Sequence, residues 1–259
     1  SYGTTKAEIS AQGQLEGLGY VIDATRLKTD GYRDHSAATR EQAFAKITTK
    51  PDDVSKLTFV VNGFWQRADD PLGVTWASYK NNPRAIDPGT GSSPTPATTY
   101  NTRKSIDHLQ GGVAYERRIG ADTLQLSAYS GQRSVIQYQA IPISANPKNS
   151  GGIVDFDRDF YGFGGRWIAV RSAGGGRLTT TVGADYDVSK DNRSGYDNRS
   201  GVKSTLRRKE VDNVESTGTY IQSEWQRGDW IVSGGLRYST VKFDITDQYL
   251  QNGNDGGGR

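Results

Sequence analysis

The chain holds two histidines, His35 and His108, and no cysteine. A zinc site built from nitrogen and sulfur ligands needs more donors than two imidazoles supply. Asp34 and His35 are an adjacent acid and imidazole, but neighbours in an extended strand point to opposite faces, so without a turn this pair does not share a proton path. Serines are plentiful, yet no G-x-S-x-G elbow presents one as a nucleophile. The expectation is that the chain is not an enzyme and carries no cofactor or metal. Gly174-Gly175-Gly176 suits a tight turn that needs positive φ. The tetrad Asn-Arg-Ser-Gly occurs at 192–195 and again at 198–201, and reads as a flexible outer loop.

Composition limits the partners. The formal charge is +3 with both signs interspersed, too balanced for a nucleic-acid footprint, so no nucleic acid is expected. Only 34% of residues are hydrophobic, glycine outnumbers proline 32 to 8, and mean hydropathy is −0.70. Few soluble cores are so thin. Aromatics are nevertheless 10% of the chain, with 14 Tyr and 5 Trp, rings that suit a membrane interface. No run of about 18 apolar residues exists, which excludes a spanning helix and leaves a barrel allowed. The opening Ser1-Tyr2-Gly3-Thr4 lacks the basic and apolar regions of an export signal.

The elements that would position any site show period two, the pattern of half-buried strands. Leu57, Phe59, Val61, Gly63 and Trp65 alternate with Lys56, Thr58, Val60, Asn62 and Phe64, and similar alternation recurs around Ile9, Leu124, Val182 and Trp230. Strands are expected at 6–16, 19–28, 40–50, 56–67, 105–116, 123–130, 156–171, 178–188, 213–226 and 230–243. Connections take turns in length. Short ones fall at 16–19, 51–55, 117–122, 172–176 and 226–229, and long polar ones at 29–39, 68–104, 131–155, 189–212 and from 244 onward. Outer-membrane barrels have this asymmetry, with short periplasmic turns and long extracellular loops. Tyr20, Tyr115, Trp167, Trp225 and Trp230 lie near the short turns, while Trp65, Tyr186 and Tyr238 lie near the other strand ends, which gives two girdles. Glu8, Glu16, Asp23, Asp185, Asp187 and Arg237 fall on the opposite parity and would line a polar lumen. The expected fold is all-β: about ten antiparallel up-and-down transmembrane barrel strands, part of a larger barrel, in the bacterial outer membrane. Other readings are a complete ten-stranded outer-membrane enzyme or adhesin, and a soluble β-sandwich or lectin-like module.

The wording of several segments carries a resemblance. LGYVIDATRLKTDGYRDHSAATREQ (18–42), KPDDVSKLTFVVNGF (50–64), DDPLGVT (69–75), TGTYIQSEWQ (217–226) and GGLRYSTVKFD (234–244) together resemble the barrel of TonB-dependent outer-membrane receptors, especially the ferric-dicitrate-like ferric-siderophore group. Membership implies a large barrel with an N-terminal plug inside it, and import of a ferric chelate powered through the TonB inner-membrane complex. No plug-like segment or TonB-box-like start is found, so residues 1–259 are expected to be one partial barrel domain, completed by the plug and the remaining strands of its parent. The transported ligand implied is a ferric siderophore, an oxygen-rich and commonly anionic chelate. Aromatic rings for its organic shell and cations for its charge are best presented at loop tips. Candidate contacts are Tyr32, Arg33 and His35 in the first long loop, Trp76, Tyr79 and Arg84 in the second, and Tyr138 in the third.

Overall fold

The computed structural model describes residues 2–86, 96–249 and 251. Ten strands follow the chain in order: β1 (Thr5–Leu15), β2 (Leu18–Thr29), β3 (Ala38–Asp52), β4 (Ser55–Asp69), β5 (Arg103–Ile119), β6 (Asp122–Tyr138), β7 (Ile153–Ala173), β8 (Gly176–Arg199), β9 (Val202–Arg227) and β10 (Trp230–Asp247). They form one antiparallel sheet in the order β1 to β10, each strand hydrogen-bonded to its sequence neighbours. Every expected strand is present. β1 and β10 each have a single neighbour, so the ten strands make an open wall. Two short helices, α1 (Trp76–Asn81) and α2 (Pro96–Thr99), lie between β4 and β5.

Register separates the two faces. Cross-strand partners point to the same side of a sheet, and alternate residues point to opposite sides. Following the partners from Ile9 through Ala24, Ala43, Gly63 and Leu109 onward places Ile9, Leu15, Leu57, Phe59, Val61, Leu124, Leu126, Val182, Val232 and Leu236 on one face. That face is bare. Ile9 is 73% exposed and Leu236 79%, values that suit lipid contact and not a protein core. The opposite face carries Glu8, Asp23, Asp185, Asp187 and Arg237. It curls round a cavity of about 420 Å³ lined by residues from β4 to β9, among them Lys56, Glu116, Gln125, Arg166, Asp185 and Tyr220, and so is the concave, lumenal side.

The outer aromatic girdle also gives the tilt. Trp65 on β4 shares a register row with Asn192 on β8 and Thr246 on β10. Its companions in the girdle are Tyr186 and Tyr238. The girdle has therefore slipped six residues over four strands and eight over six. With about 3.4 Å per residue and about 4.8 Å between strands, that slope is roughly 45°. Strands of outer-membrane barrels tilt by about 35–45°.

All five short turns hold two residues and lie at one end. Gly174 and Gly175, with φ of 56° and 71°, make the β7–β8 turn. At the other end two expectations are corrected. The loop expected at 189–212 is strand on both sides: β8 has 24 residues, β9 has 26, and Ser200-Gly201 alone joins them. Both turn residues have positive φ, 51° and 83°, as a type I′ hairpin requires. The first Asn-Arg-Ser-Gly tetrad is thus within β8, and the second closes the hairpin. Likewise β6 and β7 extend into the loop expected at 131–155, leaving 139–152 between them. A bilayer needs only about 9–11 residues of tilted strand, so more than half of β9 stands outside it. Polar residues on both faces there look like loop in sequence because neither face meets lipid.

Burial is concentrated at this outer end. Among the described residues the buried hydrophobics are Ala97, Ile106, Val135, Ile153 and Tyr249. Arginine substituted for Phe59, on the lipid face, is expected to cost about 2–4 kcal/mol in a membrane-refolding titration, whereas arginine at the neighbouring lumenal Thr58 costs little. Equal penalties at the two positions would overturn the assignment of faces.

Candidate functional site

The long connections meet above the wall and are tied into one body. Arg33, in the β2–β3 loop, donates from Nη1 to Leu72 O, from Nη2 to Pro71 O at 3.2 Å, and from Nε and Nη2 to Ala85 O. Arg84 answers from the second loop: its Nε donates to Tyr32 O at 3.2 Å, and its own carbonyl accepts from Asp34 N at 3.0 Å. The Arg84 guanidinium lies over the rings of Tyr2 and Tyr32, 5.5 and 5.8 Å from their centroids. His35 joins Thr102 O through Nε2 at 2.8 Å; a carbonyl can only accept, so that nitrogen carries a proton.

Asn198 closes the knot. It is 1% exposed. Its Nδ2 donates to Tyr100 O at 2.8 Å and to Gln139 O at 3.0 Å, and its Oδ1 accepts from Gly201 N. One amide thus links the second loop, the third loop and the β8–β9 hairpin. Thr102, fully buried, donates through Oγ1 to Asp70 O at 2.5 Å. Register slips where Gly195 and Tyr196 oppose Arg208 and Leu206, leaving Arg207 as the extra residue of a bulge. A bulge re-aims its side chain. Arg207 turns onto the third loop and donates to Ser144 O, Asn146 O and Asn149 O.

The seven candidate contacts therefore divide. Tyr32, Arg33 and Arg84 converge, with Arg33 spent on backbone carbonyls and His35 on Thr102. Trp76 and Tyr79 share α1, whose start is capped by Thr75 Oγ1 accepting from Ser78 N. Their rings stack 5.4 Å apart at 12°, Trp76 is 67% exposed, and Lys80 lies over the indole. Tyr138 stands apart. It shares parity with Leu124 and Leu126, so it is on the outer wall, beneath the Arg103 guanidinium at 3.5 Å. Nearby Lys203 pairs with Asp155 at 2.5 Å. Burial pushes the Lys203 ammonium down, but the hydrogen bond and charge of Asp155 outweigh it and hold the group above its ordinary value. Asn198, Thr102 and Arg207 were not singled out by sequence. The second tetrad was the available signal for Asn198, since an Asn before Ser-Gly suits a hairpin end.

The lumenal face has its own order. Arg237 pairs with Asp185 across β9 at 3.0 Å, and Tyr129 donates to Asp187 across β7. Glycine makes this possible: a Cβ at Gly162 would come within 2.5 Å of Asp187 Oδ1, and one at Gly218 would strike the Arg237 guanidinium.

The family model described as TonB dependent receptor-like, beta-barrel, matches residues 43–258. The chain belongs to that family. It is a segment of an outer-membrane receptor barrel of Gram-negative bacteria. Solved structures agree on the fold. The ferric citrate transporter FecA in its unliganded form is similar with a TM-score of 0.75 and 16% identity, over 95% of this chain and 35% of FecA. The ferric-catecholate import receptor Fiu of E. coli K12 gives 0.72 and 10%, over 95% and 44%. BauA, the ferric preacinetobactin receptor of Acinetobacter baumannii, gives 0.70 and 11%, over 95% and 41%. The receptor segment thus spans between about a third and a half of the length of these proteins.

Replacing Asn198 by Ala strands two part-buried carbonyls and one part-buried N–H, at about 1 kcal/mol for each hydrogen bond lost. Amide exchange in 96–102 and 139–152 should rise together, while the lower strands stay protected. Loosening of one loop without the other would refute the shared knot.

Proposed function

We propose that the intact receptor binds a ferric siderophore at its outer mouth and imports it with energy supplied through the TonB inner-membrane complex. The observation that carries this reading is the loop platform. Two stacked, exposed rings on α1, and as a second group the Tyr32 ring with the Arg84 cation over it, stand on loop backbone pinned by Arg33, His35, Thr102 and Asn198. A rigid base lowers the entropy lost on binding. Tyr32, Trp76, Tyr79 and Arg84 are the proposed contacts with the chelate; Arg33 and His35 position them. Tyr138, on the outer wall, is a more distant member of the set.

A ferric-dicitrate-like chelate is the proposed substrate group, by the sequence resemblance and the likeness of fold to the ferric citrate transporter. The charged lumenal face is proposed to meet a plug domain supplied by the parent chain. Further strands would then close the edges of β1 and β10, because an open ladder in lipid leaves N–H and C=O groups without partners.

Binding of a panel of ferric chelates to the full-length receptor tests the reading, with heat-modifiable migration as the folding control. Trp76→Ala and Tyr79→Ala should each weaken the true substrate about tenfold, equivalent to about 1.4 kcal/mol. Absence of binding to any ferric chelate by the folded wild type would overturn the siderophore assignment.

A further inference from the structure

One register row on the lumenal face reads His108, Arg133, Arg158, Asp191, Asp212 from β5 to β9. Like charges stand directly opposite each other twice in it, an arrangement that destabilises a sheet unless counter-charges intervene. Most of them are met. Arg158 places Nε and Nη2 on the two Asp191 oxygens, both at 2.6 Å. Arg193 bridges Glu210 at 3.1 Å and Asp212 at 3.4 Å, and Arg208 reaches Glu210 at 2.9 Å. Three guanidinium groups thus share three carboxylates. Arg133, the fourth guanidinium of this cluster, has no ion pair among the described residues, and it is exposed on the lumenal side.

Its partner on β5 is the second unmatched group. His108 Nδ1 is buried and has no hydrogen-bond partner among the described residues. The imidazole is held flat on Phe160, centroids 5.9 Å apart at 9°. Gly131 allows this, since a Cβ there would lie 2.5 Å from Phe160 Cζ. A positioned ring with an unused nitrogen therefore sits beside an unpaired guanidinium, in the row just above the point where the outward side of β6 changes from Leu124, Leu126 and Ala128 to Ser130 and Gln132.

We infer that His108 and Arg133 form a lumenal carboxylate-binding subsite beneath the loop platform. A carboxylate presents two oxygens in one plane, so one can accept from the Arg133 fork and the other from His108 Nδ1–H, with charge assistance at both. It would also place a negative charge beside the Arg133 and Arg158 pair. The carboxylate has two possible sources, a carboxylate-bearing ferric chelate passing inward or an acidic side chain of the segment that fills the lumen. The first rests on the proposed transport function; the second does not.

The test uses the full-length receptor with Arg133→Gln, Arg133→Lys and His108→Gln, each verified as folded by heat-modifiable migration. Affinity is measured for ferric dicitrate and for a neutral ferric trihydroxamate, and outer-membrane leak is measured as sensitivity of cells to vancomycin. A chelate source predicts that Arg133→Gln weakens ferric dicitrate about tenfold, Arg133→Lys less so, and the trihydroxamate is unaffected. An internal source predicts unchanged chelate affinity and increased vancomycin sensitivity. Equal loss for both chelates, or no change in any readout, would overturn the subsite. If the folded wild type binds no ferric chelate of the panel, the transport reading is what fails, and the leak measurement alone decides the subsite.

Discussion

Every backbone N–H and C=O within a bilayer must be paired inside the protein, because hydrocarbon offers no partner. Between β1 and β10 that constraint is met by a continuous ladder, with only the outer edges of those two strands open, and the rest of the structure follows from it. Once the ladder is continuous, register links all ten strands, and a side chain's parity decides whether it meets lipid or lumen. Within the bilayer band one face can then be mainly apolar while the other carries ion pairs laid across intervening glycines. The roughly 45° slip of the aromatic girdle is the same ladder seen against the plane of the membrane.

Much of this was legible in the sequence. Ten strands, five tight turns at one end and the parity of Ile9, Phe59, Leu126 and Leu236 all follow from period two, since lipid on one side and a polar lumen on the other impose a strict alternation. The signal stops where the lipid does. Above the membrane β8 and β9 are polar on both faces, and their ladder is reinforced by Arg158–Asp191, Arg193–Glu210 and similar pairs which no local pattern announces. Residues 189–212 consequently read as a loop, although they are a hairpin. The candidate contacts were found by residue type and loop position, which cannot tell a presented side chain from one consumed in holding the loop. Arg33 and Arg84 show the difference. They lie in facing loops, yet Arg33 is turned onto four hydrogen bonds with backbone carbonyls and Arg84 remains exposed at the surface.

The outer third of the molecule is where packing becomes protein-like. Buried Ile153, Asn198 and Thr102 make a small core that fixes three connections and a hairpin to one another. Such a core has a physical purpose in a receptor. Loops that must hold aromatic rings in water lose binding energy to disorder unless their backbone is ordered beforehand. Below that platform the lumenal row ending in Arg133 and His108 supplies charge without enclosing it, which suits transient passage better than tight retention.

The parity and the end of the apolar band can be read together on a single strand. The chain has no cysteine, so spin labels can be attached to single cysteines introduced from Thr123 to Tyr138 in β6 of the membrane-embedded protein. Collision with oxygen, which partitions into lipid, is then compared with collision with a water-soluble nickel chelate. Positions 124, 126 and 128 should favour oxygen, odd positions should favour the nickel chelate, and 132–138 should favour the nickel chelate whatever their parity. Loss of the two-residue period, or oxygen preference continuing to 138, would contradict a tilted membrane strand that emerges into an extracellular wall.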